Sequence, residues 1–240
     1  MWVAILSDIH SNLEALSTAL EYIHKSGRID DTICLGDVVG YGADPGECIK
    51  ICREEASVIL MGNHDQAVFE EKYPADFNLR AAEAVLWTRE KLSGSDRSYL
   101  SSLPFVWTRE NLRFVHATPD QPEQWGYILS EYDAQMKFSA FSEEICFIGH
   151  SHVPSIYSER KPPVVRNGKY FFTHGEKYII NVGSVGQPRD LNPQLAFGIF
   201  DTDEWSFRLV RLDYDIKTAS RKILEAGLPS ILAVRLSRGM

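Results

Sequence analysis

The chain has 240 residues, a net charge of −8 and a hydrophobic fraction of 44%, which suit one large α/β domain with a substantial core. The negative charge argues against a broad basic surface for duplex nucleic acid, and no stretch approaches the length of a membrane span. The N-terminal residues lack the basic start and cleavage site of a signal peptide, so we expect a cytoplasmic protein.

The first 63 residues alternate short apolar runs with helical patterns. The first strand is predicted to end near Ser7, and a helix follows from about Asn12 to Ser26, with Gly27 as its stop. The second strand leads to Asp37 and the third to Asn63. This β-α-β-α-β order predicts parallel strands joined by right-handed crossovers.

The chain from residue 66 to about 104 has a different pattern. Residues Asn78 to Leu92 have helical periodicity, with Leu79, Ala82 and Leu86 on one side. We interpret this stretch as a helical insertion beside the strand ends. It is either a cap over a substrate or a purely structural layer.

The second half of the chain is rich in predicted strands. A helix is expected from about Glu131 to Phe141. Four strand segments follow, several of them in hairpins: 164–173, 177–182, 195–201 and 205–212. A helical tail is expected over about 216–238. Because the sequence contains no repeat, linker or low-complexity tract, we expect a single domain over residues 1–240.

Residue types that bind metals follow five of the apolar runs. These clusters are Asp8-Ile9-His10, Gly36-Asp37, Gly62-Asn63-His64-Asp65, His116 and Gly149-His150-Ser151-His152. In α/β sheets, ligands bind at the carboxyl ends of the strands. Five of the seven histidines fall in these clusters, which favours a shared site over chance. The pattern predicts a metal-centred active site.

Seven side chains form the expected ligand set. They are Asp8, His10, Asp37, Asn63, His116, His150 and His152. If Asp37 bridges two ions, each ion has four protein ligands, and His150 and His152 serve either one ion or two. Nitrogen and oxygen donors suit Mn, Fe, Zn, Co or Ni. Taken singly, any of the seven could instead be a turn or capping residue.

These motifs, taken in order, resemble those of the calcineurin-like metallophosphoesterases. The resemblance spans residues 3 to about 190 and is nearest to the small prokaryotic phosphodiesterase-like branch. It implies a four-layer α/β/β/α sandwich holding two divalent transition-metal ions, with Mn, Fe or Zn favoured. It also implies hydrolysis of a small phosphodiester or a pyrophosphate-linked nucleotide by a metal-bridging hydroxide. The alternatives are a phosphomonoesterase or protein phosphatase, and an inert interaction scaffold, which the full ligand set disfavours.

The family pattern also gives roles to residues beside the ligands. It implies that His64, oriented by Asp65, assists the leaving oxygen; a carboxylate partner would raise the imidazole pKa, which suits a general acid. The structural alternative is a capping pair. Asn12 is predicted to cap the first helix, and the family pattern adds a position in the active site.

Two further residues are candidates for substrate binding. Tyr41, in a glycine-flanked loop, either stacks on a substrate ring or packs inside the protein. Arg189 follows a glycine-rich loop whose amides can approach an anion, and its guanidinium can hold two phosphate oxygens. The alternative for Arg189 is a surface salt bridge, for example to Asp190.

Overall fold

Two β-sheets lie face to face at the centre of the fold. The computed structural model describes residues 1–70 and 77–240. The strands in these residues are β1 (Trp2–Leu6), β2 (Asp31–Cys34), β3 (Val58–Ile59), β4 (Val106–Arg109), β5 (Leu112–Val115), β6 (Ile145–Ile148), β7 (Ser155–Ser158), β8 (Val164–Arg166), β9 (Lys169–Phe171), β10 (Tyr178–Asn181), β11 (Leu195–Asp201) and β12 (Ser206–Leu212). The helices are α1 (Leu13–Ser26), α2 (Pro45–Glu55), α3 (Asn63–Ala67), α4 (Leu79–Lys91), α5 (Gly94–Leu100), α6 (Glu131–Gln135), α7 (Ile216–Glu225) and α8 (Ser230–Leu236).

The larger sheet has the strand order β3-β2-β1-β11-β12-β9-β8, and the smaller has the order β4-β5-β6-β10-β7. Strands β1, β2 and β3 are parallel, as predicted. Strand β11 joins the other side of β1 in the antiparallel direction. In the smaller sheet, β5, β6 and β10 are parallel. All of these parallel strands except β10 carry the predicted ligand motifs at their carboxyl ends.

The alternation of side chains along β1 explains the layering. Val3 and Ile5 point into the core between the sheets, whereas Ala4 and Leu6 pack under the helices, because successive strand residues face opposite sides. The inter-sheet core joins residues such as Phe200 of the larger sheet to Phe147 of the smaller. Helices α1 and α2 cover the outer face of the larger sheet.

The outer face of the smaller sheet is covered by α6 and a 3-10 turn at Phe138–Ala140. The fold is therefore the expected α/β/β/α sandwich. The helix predicted from Glu131 to Phe141 ends earlier, at Gln135. Phe138 and Phe141 are buried against the sheet instead of continuing the helix.

The helical insertion predicted for about 66–104 falls partly on residues 71–76, which lie outside the described residues. Its described part contains α4 and α5. The predicted apolar side of α4 is wrong, because Leu79 and Leu86 are 75% and 46% exposed. The buried side instead carries small residues, including Ala81 and Ala84, which pack against α8. Short side chains allow this close approach between helices.

The C-terminal helix α7 packs against α1, and α8 packs against α7. Their apolar side chains pack with Tyr41 and with the alanines of α4. Lys222 of α7 pairs with Glu14 (2.5 Å) and Asp44 (2.9 Å), which fixes the tail to α1 and to the start of α2. Within the described residues, no helix has the length and apolarity needed to cross a membrane.

Candidate metal centre

The carboxyl ends of strands from both sheets meet at one edge of the sandwich. Asp8 and His10 follow β1, and Asp37 follows β2. From the smaller sheet, His116 follows β5, and the segment after β6 carries the last two histidines of the motifs. All of these side chains are at most 5% exposed. The topology therefore collects residues from distant parts of the chain at one buried point.

The candidate ligands form two groups that share one residue. Ligand atoms within 4.8 Å of one another define the first group as Asp8, His10, Asp37 and His152, and the second as Asp37, His116 and His150. Asp37 thus has the position required of a bridge. His150 and His152 fall in different groups, which favours the alternative in which they serve two different ions.

Asn63 completes the set from the larger sheet. It begins α3 immediately after the Gly62 turn and lines the same cavity as Asp37 and His150. The Oδ1 atom of Asn63 is buried and has no hydrogen-bond partner among residues 1–70 and 77–240. Its neighbour in the chain, His64, donates its main-chain N–H to Asp37 Oδ1 (2.8 Å). The Asn63 segment is thereby attached directly to the shared carboxylate.

Main-chain carbonyl groups fix which ring nitrogen each histidine offers. The Nδ1 atoms of His10, His116 and His152 lie 3.1, 3.2 and 2.6 Å from carbonyl oxygens. A carbonyl only accepts, so Nδ1 carries the hydrogen and Nε2 keeps its lone pair. His150 has the opposite arrangement, since its Nε2 donates to the Trp125 carbonyl (3.0 Å). In the neutral form that binds a metal, each histidine therefore presents one bare nitrogen.

Several polar atoms at this point lack partners that a cation would supply. Asp8 Oδ1 and His116 Nε2 are buried without a hydrogen bond, which ordinarily costs roughly 1–3 kcal/mol per group. The Nε2 atoms of His10 and His152 lie 3.1 Å apart, so their lone pairs face each other. His152 Nε2 is also 3.2 Å from Asp8 Oδ1. These atoms suit divalent ions that take nitrogen and oxygen ligands.

The pKa values describe the same electrostatic balance. Burial alone would raise the carboxyl pKa values of Asp8 and Asp37, but the imidazoles around them hold both below their ordinary range. Burial lowers the pKa of His116, yet Asp37 and Asp8 outweigh it and raise that pKa to about 9. Burial, together with nearby His116, lowers the pKa of His150 to about 3. The carboxylates thus stabilise positive charge at the centre.

The backbone is left-handed at most candidate ligands. Asp8, His10 and Asp37 have φ of 53°, 50° and 53°, and His150 and His152 have φ of 63° and 61°. Such residues cost of order 1–3 kcal/mol each and persist where the surroundings determine them. Here the motif loops hold one another, because the N–H of Asp8 donates to Gly36 and that of His10 to Asp37. This strain is concentrated where the ligands gather.

Gly149 shows why the motif after β6 begins with glycine. A Cβ atom there would overlap the Ser7 hydroxyl and lie 2.5 Å from Asp8 Oδ2. We expect Gly149→Ala to lower the free energy of unfolding by about 1–3 kcal/mol, the usual cost of overpacking, and to weaken metal binding through Asp8. Urea unfolding measures the first effect.

Gly94→Ala is the matched control, since a Cβ at Gly94 meets nothing within 4 Å. Gly94 lies at the first position of α5, so alanine there should be neutral or stabilising by up to about 1 kcal/mol. An equally small effect of Gly149→Ala would contradict the close packing of β6 against Asp8.

The predicted pairing of His64 with Asp65 is wrong. The two oxygens of Asp65 accept hydrogen bonds from the main-chain N–H groups of Val39 (3.1 Å) and Gly62 (3.2 Å). Asp65 therefore ties together the turns after β2 and β3, and it is not among the residues that line the cavity. Burial and the nearby Asp37 raise its pKa to about 7.

His64 itself lies on the cavity wall. Its ring packs 4.4 Å from Tyr41, 4.9 Å from His10 and 4.7 Å from Phe77, measured between centroids. Burial lowers the pKa of His64 to about 4, although Asp37 opposes the shift. In the protein without a bound phosphate, the expectation that a carboxylate raises the pKa of His64 above its ordinary value is therefore wrong. A bound phosphate beside the ring would act in the raising direction.

Asn12 is buried and follows the first ligand motif in the sequence. Its Oδ1 accepts from the N–H of Ala15 (3.2 Å), which confirms the predicted cap of α1. Its amide nitrogen donates to the Gly186 carbonyl (2.8 Å) and the Tyr214 hydroxyl (3.2 Å). The side chain is thus engaged inside the protein, and it does not line the cavity. The structure places Asn12 in the support of the site, against the prediction of substrate contact.

A cavity of about 520 Å³ opens above the candidate ligands. Tyr41 and Arg189 both line it, as expected of substrate-binding residues. Tyr41 is nevertheless 6% exposed and packs 4.7 Å from the His10 ring, so most of its surface is used inside the protein. The salt bridge considered for Arg189 is absent in the described residues, since Asp190 pairs with Arg211.

Among the cavity residues that were not predicted, two aromatic side chains and one arginine have evident roles. Tyr127 stacks on the His150 ring at 4.0 Å with an interplanar angle of 20° and is 51% exposed. Trp125 holds His150 through its carbonyl and donates its indole N–H to Gln66 (2.8 Å). Trp125 and Tyr127 both follow the His116 motif in the sequence, so their position could have indicated that they lie at the site. Arg235 comes from α8, and no motif near it in the sequence marks it.

The family model for the calcineurin-like phosphoesterase superfamily domain matches residues 1–205. The chain belongs to this superfamily. The chain is also 40% identical over 243 residues to uncharacterized protein MJ0912 of Methanocaldococcus jannaschii. The alignment covers 99% of this chain and 98% of that protein. Both proteins are thus matched over nearly their whole lengths.

Solved structures agree with this assignment. The crystal structure of a metallophosphoesterase from Sphaerobacter thermophilus has a TM-score of 0.87 at 36% identity, covering 100% of this chain and 99% of that one. Hypothetical protein PH1004 from Pyrococcus horikoshii OT3 has a TM-score of 0.81 at 21% identity, with 100% and 98% covered. At that identity, the second likeness shows the fold alone. The shared span in both includes α8, which lies beyond the residues matched by the family model.

Proposed function

We propose that this protein is a dimetal-dependent phosphoesterase that hydrolyses phosphodiesters or pyrophosphate-linked nucleotides. The observation that carries the proposal is the pair of ligand groups sharing Asp37 at the floor of a cavity. Each group presents bare nitrogen and oxygen atoms, several of them buried without partners. When bound, two such ions polarise phosphoryl oxygens and lower the pKa of water.

Seven residues would hold the ions in this proposal. The first ion would take Asp8, His10, Asp37 and His152, and the second Asp37, Asn63, His116 and His150. Mn, Fe and Zn all accept nitrogen and oxygen ligands of these types. The main-chain carbonyls that accept from the histidines keep the rings oriented toward the ions.

The other cavity residues would act on the substrate. His64 would contact the oxygen that leaves, since it lines the cavity and its Nε2 makes no hydrogen bond within the described residues. Asp65 would position His64 only indirectly, by holding the turn at Gly62. The aromatic side chains of Trp125 and Tyr127 would exclude water from one side of the phosphate and offer a ring surface.

The size and lining of the cavity support a nucleotide-type substrate. A volume of about 520 Å³ lies within the range of sites for small molecules and exceeds the need of a phosphate alone. Tyr127 is half exposed above His150, so one face of its ring is available for stacking on a base. The full set of ligand residues disfavours an inert scaffold of the same fold.

A substrate panel tests the proposal. Purified protein, first stripped with chelator, is supplied with Mn, Fe or Zn and assayed on a phosphodiester, a phosphomonoester and a dinucleoside polyphosphate. We expect hydrolysis only with added metal, and higher kcat/KM for the diester or the dinucleotide than for the monoester. Preference for the monoester would favour the phosphatase alternative. Binding of two ions without hydrolysis of any substrate would favour the scaffold.

A further inference from the structure

Two arginines lie beside the same aromatic ring on the cavity wall. The guanidinium carbon Cζ is 5.7 Å from the Tyr41 centroid for Arg189 and 5.9 Å for Arg235. Within residues 1–70 and 77–240, no Asp or Glu side chain forms a salt bridge with either arginine. Glu70 and Glu123 also line the cavity but pair with neither of them. Within the described residues, neither guanidinium is therefore paired with a side-chain carboxylate.

Within the described residues, the hydrogen bonds of the two arginines leave much of their donor capacity unused. Arg189 donates from Nη2 to Gln187 Oε1 (3.1 Å), and its Nε is buried without a partner. Arg235 donates from Nε to the main-chain oxygen of Met240 (2.7 Å). A guanidinium carries five N–H groups. Both arginines thus retain donors that can bind an anion.

Main-chain hydrogen bonds connect the two segments that carry Arg189 and Arg235. The N–H of Arg189 donates to the carbonyl of His152 (3.3 Å), which attaches its loop to the candidate metal centre. Two residues later, the N–H of Leu191 donates to the carbonyl of Gly239 (2.8 Å). The C-terminal turn that follows Arg235 is therefore bonded to the loop that carries Arg189.

Like charges near each other in a partly buried site are unfavourable without an anion. Burial, and then the proximity of Arg189, lower the pKa of Arg235. A phosphate would remove this repulsion and form charge-assisted hydrogen bonds with both groups. The metal centre would take the phosphate that is cleaved, and an anion held beside Tyr41 would be an additional group of the substrate.

We propose that Arg189 and Arg235 form a subsite for a second phosphate of the substrate, separate from the phosphate that is hydrolysed. The inference rests on the proposed function, because the metal centre is assigned to the scissile phosphate. Arg235 is then a specificity-determining residue supplied by the C-terminal helix. The substrate class is a nucleotide ester that carries an additional phosphate.

A matched pair of substrates tests this subsite. Both are p-nitrophenyl esters of thymidine 5′-phosphate, and one also carries a 3′-phosphate. We expect Arg235→Gln and Arg189→Gln to reduce the kcat/KM ratio of the bisphosphate to the monophosphate by about 10- to 100-fold, mainly through KM. Arg235→Lys should restore part of the ratio, since it keeps the charge.

Arg238→Gln is the control, because Arg238 is exposed on the same C-terminal turn and does not line the cavity. It makes the same change in net charge and should leave the ratio unchanged. An unchanged ratio in Arg235→Gln, or an equal fall in Arg238→Gln, would overturn the subsite. Thermal melting of each variant separates loss of binding from loss of folding.

Calorimetric binding separates the subsite from the proposed function. Thymidine 3′,5′-bisphosphate and thymidine 5′-monophosphate are titrated into manganese-loaded protein. We expect Arg235→Gln to raise the Kd of the bisphosphate about 10- to 100-fold and to raise that of the monophosphate far less. This result would support the subsite even if no ester were hydrolysed. Equal changes for both ligands would contradict it.

Discussion

Replacing Asp37 with alanine is expected to disrupt both metal sites and to lower kcat/KM by roughly 10³-fold or more, because several kcal/mol of transition-state stabilisation depend on the ions. Asp37 is the residue common to the two ligand groups. Its Oδ2 lies 3.6 Å from His10 Nε2 and 3.4 Å from His116 Nε2. One carboxylate oxygen therefore faces ligands of both ions. Elemental analysis of the purified variant measures the loss.

Asp201→Ala is the control for Asp37→Ala. Asp201 is also a buried carboxylate, 6% exposed, and it accepts main-chain hydrogen bonds in the turn between β11 and β12. Its removal should lower stability but leave both ions bound. If the Asp37 variant fully retained one ion, Asp37 would not be a bridge.

Replacing His64 with alanine is expected to lower kcat by roughly 10²–10⁴-fold while metal content stays the same. His64 lines the cavity but belongs to neither ligand group. If it assists the leaving oxygen, the loss should shrink for esters of good leaving groups such as nitrophenolate, which need little protonation. Single-turnover rates for a series of aryl and alkyl esters measure this dependence.

His24→Ala is the control for this series, because His24 is exposed and pairs with Glu55 at the surface. It should leave all rates unchanged. An equal loss across leaving groups of very different pKa in His64→Ala would show that His64 positions the phosphate and does not transfer a proton.

The strands and the grouping of the candidate ligand residues could be predicted because both depend on local patterns. A short apolar run followed by Asp or His specifies a strand end, and parallel strands bring their ends to one edge. Local sequence patterns do not indicate the position of Arg235. Its place in the cavity depends on the packing of α7 and α8 with α1 and α4, which lie far from them in the sequence. Such contacts leave no short motif.

Two errors have plain physical causes. His64 and Asp65 are adjacent on the short helix α3, and neighbouring residues on a helix do not face each other. The Asp65 carboxylate therefore reaches backbone N–H groups and not the imidazole. On α4, size and not hydrophobicity decided the buried side. Alanines allow α8 to approach, so the larger Leu79 and Leu86 remain exposed.

Two ions are expected to share the carboxylate of Asp37. Manganese titration of chelator-treated protein, followed by electron paramagnetic resonance, tests it most directly. We expect two Mn²⁺ to bind per chain, with a spin-coupled signal appearing as the second site fills, because the bridging carboxylate holds the ions close together. Saturation at one Mn²⁺ per chain, or two bound ions with only uncoupled signals, would contradict the shared site.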